Sequence, residues 1–311
     1  MIFAIIDLGT NTFNLLIAER LQNFTFKKIF NTKIAVKLGE GTINSGYIAD
    51  APFQRGINAL KQYQQYLLDH NVEHIYAFAT SAIRSASNGN EFVIQAKKVA
   101  GISITVIDGN EEADLIYHGN RMAVNMTNNI SLIMDIGGGS TEFILANQDT
   151  IFWKQSFLLG AARLLDKFKL SDPITHLEKQ HFNSYLKDEL MPLFDAIKNY
   201  QPIELIGSSG AFDSVVDVID GKFNTGALSD FKTEYKVDLT HYKFISEMIK
   251  CSTLKERFHI AGLIDMRVDM IVISILLIDF ILKELKLSSM RVSTFSLKEG
   301  VISKKLGLAL S

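Results

Sequence analysis

The chain has 311 residues, about two domains' worth at roughly 150 residues each, and 47% of them are hydrophobic, which fills two cores and excludes a disordered or fibrous protein. Lys and Arg number 32 against 34 Asp and Glu, a formal charge of -2. No chain-wide field therefore attracts nucleic acid or anionic lipid, and an anionic ligand must be held by a local site. The single cysteine, Cys251, excludes an internal disulfide framework and suits a reducing compartment. Met1 to Ile6 are apolar, yet no basic segment precedes them and Asp7 and Gly9 interrupt the run, so the start reads as that of a mature cytoplasmic protein. The longest apolar stretch, Met270 to Leu282, carries Ser274 and Asp279 and falls short of the roughly 20 residues that cross a bilayer. It reads as a buried helix, with no membrane partner.

In chain order, strands are expected over 2–6, 13–18 and 24–31, the first two joined by the polar loop Asp7-Leu8-Gly9-Thr10-Asn11-Thr12. A helix at 52–69, a strand at 74–79, a helix at 90–100, a strand at 102–107 and a helix from 110 follow, giving the order βββαβαβα. The second half repeats it. Strands at 131–135, 142–146 and 150–157 precede helices at 158–168 and 176–199, a strand at 203–207, helices at 210–219, 241–250 and 261–286, a strand at 291–295 and a helix from 297. Asp7 to Thr12 aligns with Asp135-Ile136-Gly137-Gly138-Gly139-Ser140, a spacing far beyond the 20 to 50 residues of solenoid repeats. The expectation is an α/β protein of two duplicated lobes facing one cleft, divided at residues 1–124 and 125–296, with the helix at 110–124 as hinge.

The strongest chemical signal is Asp135 to Glu142. Three consecutive glycines free the backbone to turn and to present peptide N–H groups to a phosphate without side-chain obstruction. Asp135 ends a strand and can serve Mg²⁺, which favours one or two carboxylates plus substrate phosphates, and Glu142 faces the same cleft. A glycine-rich hairpin turn is the plain alternative. In the first-lobe loop, Thr10, Asn11 and Thr12 offer hydroxyls and an amide to phosphate oxygens, although these residues are common in turns for backbone reasons. Glu111 and Glu112 follow Asp108-Gly109-Asn110 at a helix start, where carboxylates favour the helix dipole; one of them facing the cleft would be a general base. Arg84, after the strand at 74–79, can bind phosphate through its guanidinium or lie on the surface. Gly207-Ser208-Ser209-Gly210 is its second-lobe counterpart and supplies amides and hydroxyls, or else a helix N-cap. Lys33 and Lys37 extend an anion track or lie on a solvated face, and Arg267 reads as a helix-surface partner of Asp265 and Asp269. The seven histidines show no zinc spacing, and there is neither a G-x-S-x-G elbow nor a Walker A sequence.

Together these motifs resemble those of the exopolyphosphatase and guanosine pentaphosphate phosphohydrolase family. The resemblance runs through Asp7-Leu-Gly-Thr-Asn-Thr12, Leu38-Gly-Glu-Gly41, Ala79-Thr-Ser-Ala-Ile-Arg84, Gly109-Asn-Glu-Glu-Ala113, Asp135-Ile-Gly-Gly-Gly-Ser-Thr-Glu142, Gly207-Ser-Ser-Gly210 and Lys298-Glu-Gly300. It implies two ribonuclease-H-like lobes of the actin, sugar-kinase and heat-shock ATPase superfamily, with the last helix, 297–311, packed back on the first lobe. It also implies Mg²⁺-dependent removal of terminal phosphate from polyphosphate or guanosine pentaphosphate. Glu112 becomes the catalytic glutamate and Glu111 the lesser candidate. Arg84 becomes the phosphate-side arginine, and Asp135 and Glu142, with Asp7, the acids that position metal or water. Many relatives have serine where Thr10 and Thr12 stand, some have a basic residue in place of Asn14, and the family's Leu-Arg-Glu-Gly reads Leu297-Lys-Glu-Gly300, a point charge in place of a fork. Longer relatives continue into helical C-terminal domains that grip long chains, so short to medium chains are the expected substrate here. A homodimer is the base-rate expectation. Two readings compete: a kinase on the same fold, which needs an acceptor, and a non-catalytic alarmone sensor, which binds without turnover.

Overall fold

The computed structural model describes residues 1–226 and 232–310. The first half runs β1 (Ile2–Leu8), β2 (Thr12–Arg20), β3 (Thr25–Ala35), α1 (Asp50–Asp69), β4 (His74–Ala79), α2 (Ser81–Ser85), α3 (Gly89–Ala100), β5 (Ile104–Val106) and α4 (Gly109–Ala123). The second runs β6 (Ser131–Ile136), β7 (Thr141–Ala146), β8 (Ile151–Phe157), α5 (Ala161–Phe168), α6 (His176–Glu189), α7 (Met191–Asn199), β9 (Leu205–Ser208), α8 (Gly210–Phe223), β10 (Glu234–Val237), α9 (Leu239–Lys250), α10 (Leu254–Arg257), α11 (Ile271–Glu284) and β11 (Met290–Ser293). The chain closes with α12 (Leu297–Leu306) and β12 (Ala309–Leu310).

Each half forms one mixed sheet. Their orders are β12-β3-β2-β1-β4-β5 and β10-β11-β9-β6-β7-β8. In both, an antiparallel meander continues into parallel strands: β1 pairs with β2 and β4 as β6 pairs with β7 and β9. The shared 3-2-1-4-5 order makes these two duplicated ribonuclease-H-like lobes.

Burial explains why the central strands read as unbroken apolar runs. Ala4, Ile6 and Leu8 pack outward with Ile57 and Leu60 of α1 and Phe92 of α3. Phe3 and Ile5 pack inward with Ile116 of α4, Ile133 and Ile144 of the second sheet, and Val301 and Ile302 of α12. On the far side, Leu132, Met134 and Ile136 join Leu276 and Ile281 of α11. Helices α4 and α12 therefore lie between the sheets. Alternation then places Asp7, after Phe3 and Ile5, and Asp135, after Ile133, on the inner face of each sheet at the end of its strand.

Helices α4 and α12 meet backbone to backbone. A Cβ at Gly300 would lie 1.7 Å from the Leu115 carbonyl oxygen, and one at Gly119 would lie 2.0 Å from that of Ser296. Only glycine allows that approach, which accounts for Gly300 in the Lys-Glu-Gly motif.

Some elements differ from expectation. The helix expected over 176–199 is two, broken at Leu190, with Pro192 in the first turn of α7, where its missing N–H costs nothing. The helix expected over 261–286 begins at Ile271. Gly262 takes φ +85 against the Asp217 carbonyl, and Asp265–Arg267 form a separate 3-10 turn, so the earlier residues leave the helical path. Strands β10 and β12 and helices α2 and α10 are too short to show a period. Among the described residues, no helix is long and apolar enough to cross a membrane.

Candidate active site

The two hairpin loops turn in the same way. A Cβ at Gly9 would lie 2.9 Å from the Thr12 carbonyl oxygen, and one at Gly137 would lie 2.9 Å from that of Ser140. The loops also touch each other. A side chain at Gly138 would fall 2.6 Å from Asn11 Nδ2, and one at Gly139 would fall 2.6 Å from Thr10 Oγ1 and 2.7 Å from Ser81 Oγ. Beside this contact lies a cavity of about 200 Å³ bordered by Asp7, Thr10, Asn11, Thr12, Gly137, Gly138, Ser209 and Gly210. Its remaining wall carries Lys28, Lys33, Arg267 and Lys298.

Four residues named from sequence as phosphate contacts stand behind this surface. Gly139 is covered by Thr10 and Ser81, and Ser140 is buried beside Glu142. Gly207 lies inside β9, where a Cβ would fall 2.0 Å from the Phe212 ring, so packing explains it. Ser208 donates to Asp135 Oδ2 at 2.5 Å. Two basic residues also change place. Lys37 pairs with Asp269 across the cleft at 2.7 Å. Arg267 lines the cavity against the start of α8 instead of lying on a helix surface, because the turn that carries it is not helical.

Asp135 is held by three hydroxyls, from Ser208, from Ser209 at 2.6 Å to Oδ1 and from Ser296 at 2.6 Å to Oδ2. Asp7 accepts from Asn14 Nδ2 at 3.0 Å. Burial pushes Asp7 up to about 6, against the opposing pull of Lys298 and Asn14. Asp7 faces Asn14 across β1 and β2 as Asp135 faces Glu142 across β6 and β7. Asn14 is thus the first-lobe counterpart of Glu142.

Asp108 caps α4 by accepting from the N–H groups of Asn110 and Glu111. One helical turn in, Glu112 points inward and is 7% exposed, while Glu111 points outward and pairs with Lys305 at 2.7 Å. Arg84 Nη1, from α2, donates to Glu112 Oε2 at 2.8 Å and to the Ile107 carbonyl at 3.0 Å. Burial pushes Glu112 up to about 7, the Arg84 guanidinium holds it back, and the charges of Asp7 and Asp135 add to the rise. Glu142 accepts from Ser156 Oγ at 2.6 Å. Burial, then the charges of Glu112 and Asp135, hold its pKa well above the usual carboxylate range.

Among the described residues, no group of three or more His, Cys, Asp or Glu forms a metal site. The candidate ligands at the cavity are the all-oxygen pair Asp7 and Asp135. Asp7 borders the cavity, where its burial outweighs the pull of Lys298. Such a set fits Mg²⁺, which takes one or two carboxylates and completes its shell with water and phosphate oxygens.

Two ribonuclease-H-like lobes that set paired loops and four cations around one cavity, with the buried Glu112–Arg84 pair in electrostatic reach of Asp7, define a phosphoryl-handling enzyme. The chain belongs to the Ppx/GppA phosphatase family, whose pattern it matches over residues 16–309. A crystal structure of an exopolyphosphatase from Cytophaga hutchinsonii superposes with a TM-score of 0.96 at 40% identity, covering 99% of each chain. A Haemophilus influenzae protein provisionally named an exopolyphosphatase is 28% identical over 304 residues, 96% of this chain and 90% of its own. The chain is also 34% identical over 227 residues, 69% of its length, to a bifunctional 3-dehydroquinate synthase/phosphatase of Fusobacterium nucleatum, of which it spans only 34%. The family makes the protein a phosphoanhydride hydrolase.

Proposed function

We propose that the protein is a cytoplasmic, Mg²⁺-dependent exopolyphosphatase that removes the terminal phosphate from short to medium polyphosphate. The observation that carries the reading is Glu112, a buried carboxylate paired with Arg84 and within electrostatic reach of Asp7 and Asp135, with a pKa of about 7. A general base works best near the operating pH. In the reaction, a water oxygen bonds to the terminal phosphorus as the bridging P–O bond breaks. The water proton passes to Glu112, and the shortened chain departs as an anion. The N–H group of Gly138 and the hydroxyls of Thr10 and Thr12 hold the terminal group, and Lys33, Lys298 and Arg267 hold the phosphates behind it. Glu142, its pKa raised by burial and by the charges of Glu112 and Asp135, would help position the attacking water. Arg84 orients Glu112 and presents a guanidinium to the same phosphate. Asp7 and Asp135 would hold Mg²⁺, which when bound neutralises charge on the phosphate oxygens. Positioning and electrostatics dominate phosphoryl transfer, and these residues supply both. The 40% identity to the Cytophaga hutchinsonii exopolyphosphatase supports the substrate class.

Guanosine pentaphosphate is the second reading, favoured by one observation. A cavity of about 200 Å³ adjoins the first past Lys33 and Arg267, walled by Val216, Ile264, Tyr235 and Asp217, with room for a nucleobase. Phosphate release with Mg²⁺ from short polyphosphate, long polyphosphate, guanosine pentaphosphate and ATP, assayed in parallel, tests the proposal. Short polyphosphate should rank first. Release from guanosine pentaphosphate alone would replace the proposal with the second reading, and release only after adding an acceptor would make the protein a kinase.

A further inference from the structure

The glycine loop is oriented from behind by a single helix. The Gly137 carbonyl accepts from Ala161 N at 2.9 Å, and the Gly138 carbonyl accepts from Ala162 N at 2.9 Å and Arg163 N at 3.1 Å. The Gly139 carbonyl accepts from Arg163 Nε at 2.9 Å. In a trans peptide the N–H points opposite to the C=O. Turning three successive carbonyls toward α5 therefore turns the N–H groups of Gly138, Gly139 and Ser140 away from it, toward the first-lobe loop. Neither Gly138 nor Gly139 spends its amide on another group among the described residues.

The guanidinium that fixes the third carbonyl does not belong to one lobe alone. Arg163 is 9% exposed, and its Nη1 donates to the Ile43 carbonyl at 3.0 Å, in the 3-10 turn Ile43–Ser45 of the first lobe. Asn44 of that turn donates back to the Arg163 carbonyl at 3.1 Å and to Asp166 Oδ2 at 2.8 Å. The turn is itself seated by the Leu38-Gly-Glu-Gly41 motif, since the Ile43 side chain lies where a Cβ at Gly39 would be, 2.8 Å away. A guanidinium is a rigid planar fork, so its two bonds are geometrically linked in a way that a lysine cannot reproduce.

We infer that Arg163 is a positioning residue that links approach of the two lobes to the amide-forward state of the phosphate loop. With the 43–45 turn docked, the fork is fixed and the loop keeps the Gly138 amide turned toward the terminal phosphate. With the turn withdrawn, the fork loses one anchor and the third carbonyl is free to rotate. The loop is then complete only around a substrate held between both lobes. This places Leu38-Gly-Glu-Gly41 in the mechanism without contact with phosphate. The kinetic consequence rests on the hydrolase reading; the structural linkage does not.

Two measurements on Arg163→Lys, Arg163→Ala and Asn44→Ala test it. Misaimed oxyanion donors act on the transition state, so kcat for phosphate release from tripolyphosphate should fall about 10- to 100-fold in both Arg163 variants, with KM changed by less than about 3-fold. Asn44→Ala should lower kcat in the same direction by about 2- to 5-fold, and guanidinium ion should partly restore Arg163→Ala but not Arg163→Lys. Amide hydrogen exchange over residues 137–141 should speed up in all three. Should Arg163→Ala fail to fold, the other two variants carry the test. Wild-type kcat and unchanged exchange in Arg163→Lys and Asn44→Ala would overturn the inference. A wild-type protein that releases no phosphate from any substrate would refute the hydrolase reading, and the exchange comparison would still decide the linkage.

Discussion

Replacing Arg84 by Met removes the one guanidinium bonded to Glu112 and leaves the burial of that carboxylate in place. The pair is 2.8 Å apart, with Glu112 9% and Arg84 22% exposed at the side chain, so solvent screens it only in part. An opposite charge at that range lowers a carboxylate by about 1 to 3 pH units, and burial already outweighs it to leave Glu112 at about 7. Without Arg84 the pKa should rise to roughly 8 to 10. A base must be deprotonated to act, so the acidic limb of kcat/KM against pH reports this value. For the wild-type protein, phosphate release should climb with pH and reach half its plateau near pH 7. The Arg84→Met profile should be displaced to higher pH by at least one unit, and a Glu112→Gln control should lose the limb. A wild-type limb below pH 5, or an unmoved limb in Arg84→Met, would refute the assignment of Glu112 as a base tuned by Arg84.

Other consequences follow from the same geometry. Asp135→Asn keeps one acceptor oxygen, enough for the Ser208 and Ser296 hydroxyls, while Ser209 must turn to accept from the amide, and it halves the negative charge shared with Asp7, so the Mg²⁺ concentration for half-maximal activity should rise about tenfold or more; an unchanged titration would count against Asp135. A rise from 4.5 to about 7 makes protonated Glu112 favour the fold by about 3 kcal/mol, fully present below pH 4.5 and lost as pH rises through about 7. Glu112→Gln should therefore melt no lower than the wild type at pH 8, which calorimetry can check. Gly300→Ala drives a methyl into the Leu115 carbonyl and should cost about 1 to 3 kcal/mol through overpacking, seen as a lower melting temperature. An unchanged melt would mean that α4 and α12 separate easily.

Much of this site was legible because its chemistry sits at punctuated points of the chain. Glycines interrupt two apolar hairpins at matching places, and the residue before each loop, Asp7 or Asp135, falls on the inner face by simple alternation. Glu112 over Glu111 required the resemblance, since both fit a helix N-terminus; only packing shows Glu111 turned out to Lys305. What lay beyond the sequence is long-range. Ser296 reaches Asp135 from 161 residues away, and Arg163 reaches Ile43 from 120. Arg163 follows Gly160-Ala-Ala on a short amphipathic helix, where an arginine looks like a surface residue. Arg267 was misplaced with its helix, because the stretch from 261 is apolar enough to seem continuous with α11 and the backbone turn at Gly262 has no periodic signature.

The central claim is that the paired loops hold a phosphoryl group while Glu112 activates the water. Its most direct test compares Glu112→Gln with the wild-type protein in both tripolyphosphate binding and phosphate release. The account predicts binding within about 3-fold of wild type and release slower by roughly 10² to 10⁴ fold, the usual share of a positioned base. Release at the wild-type rate would contradict it, whatever the binding.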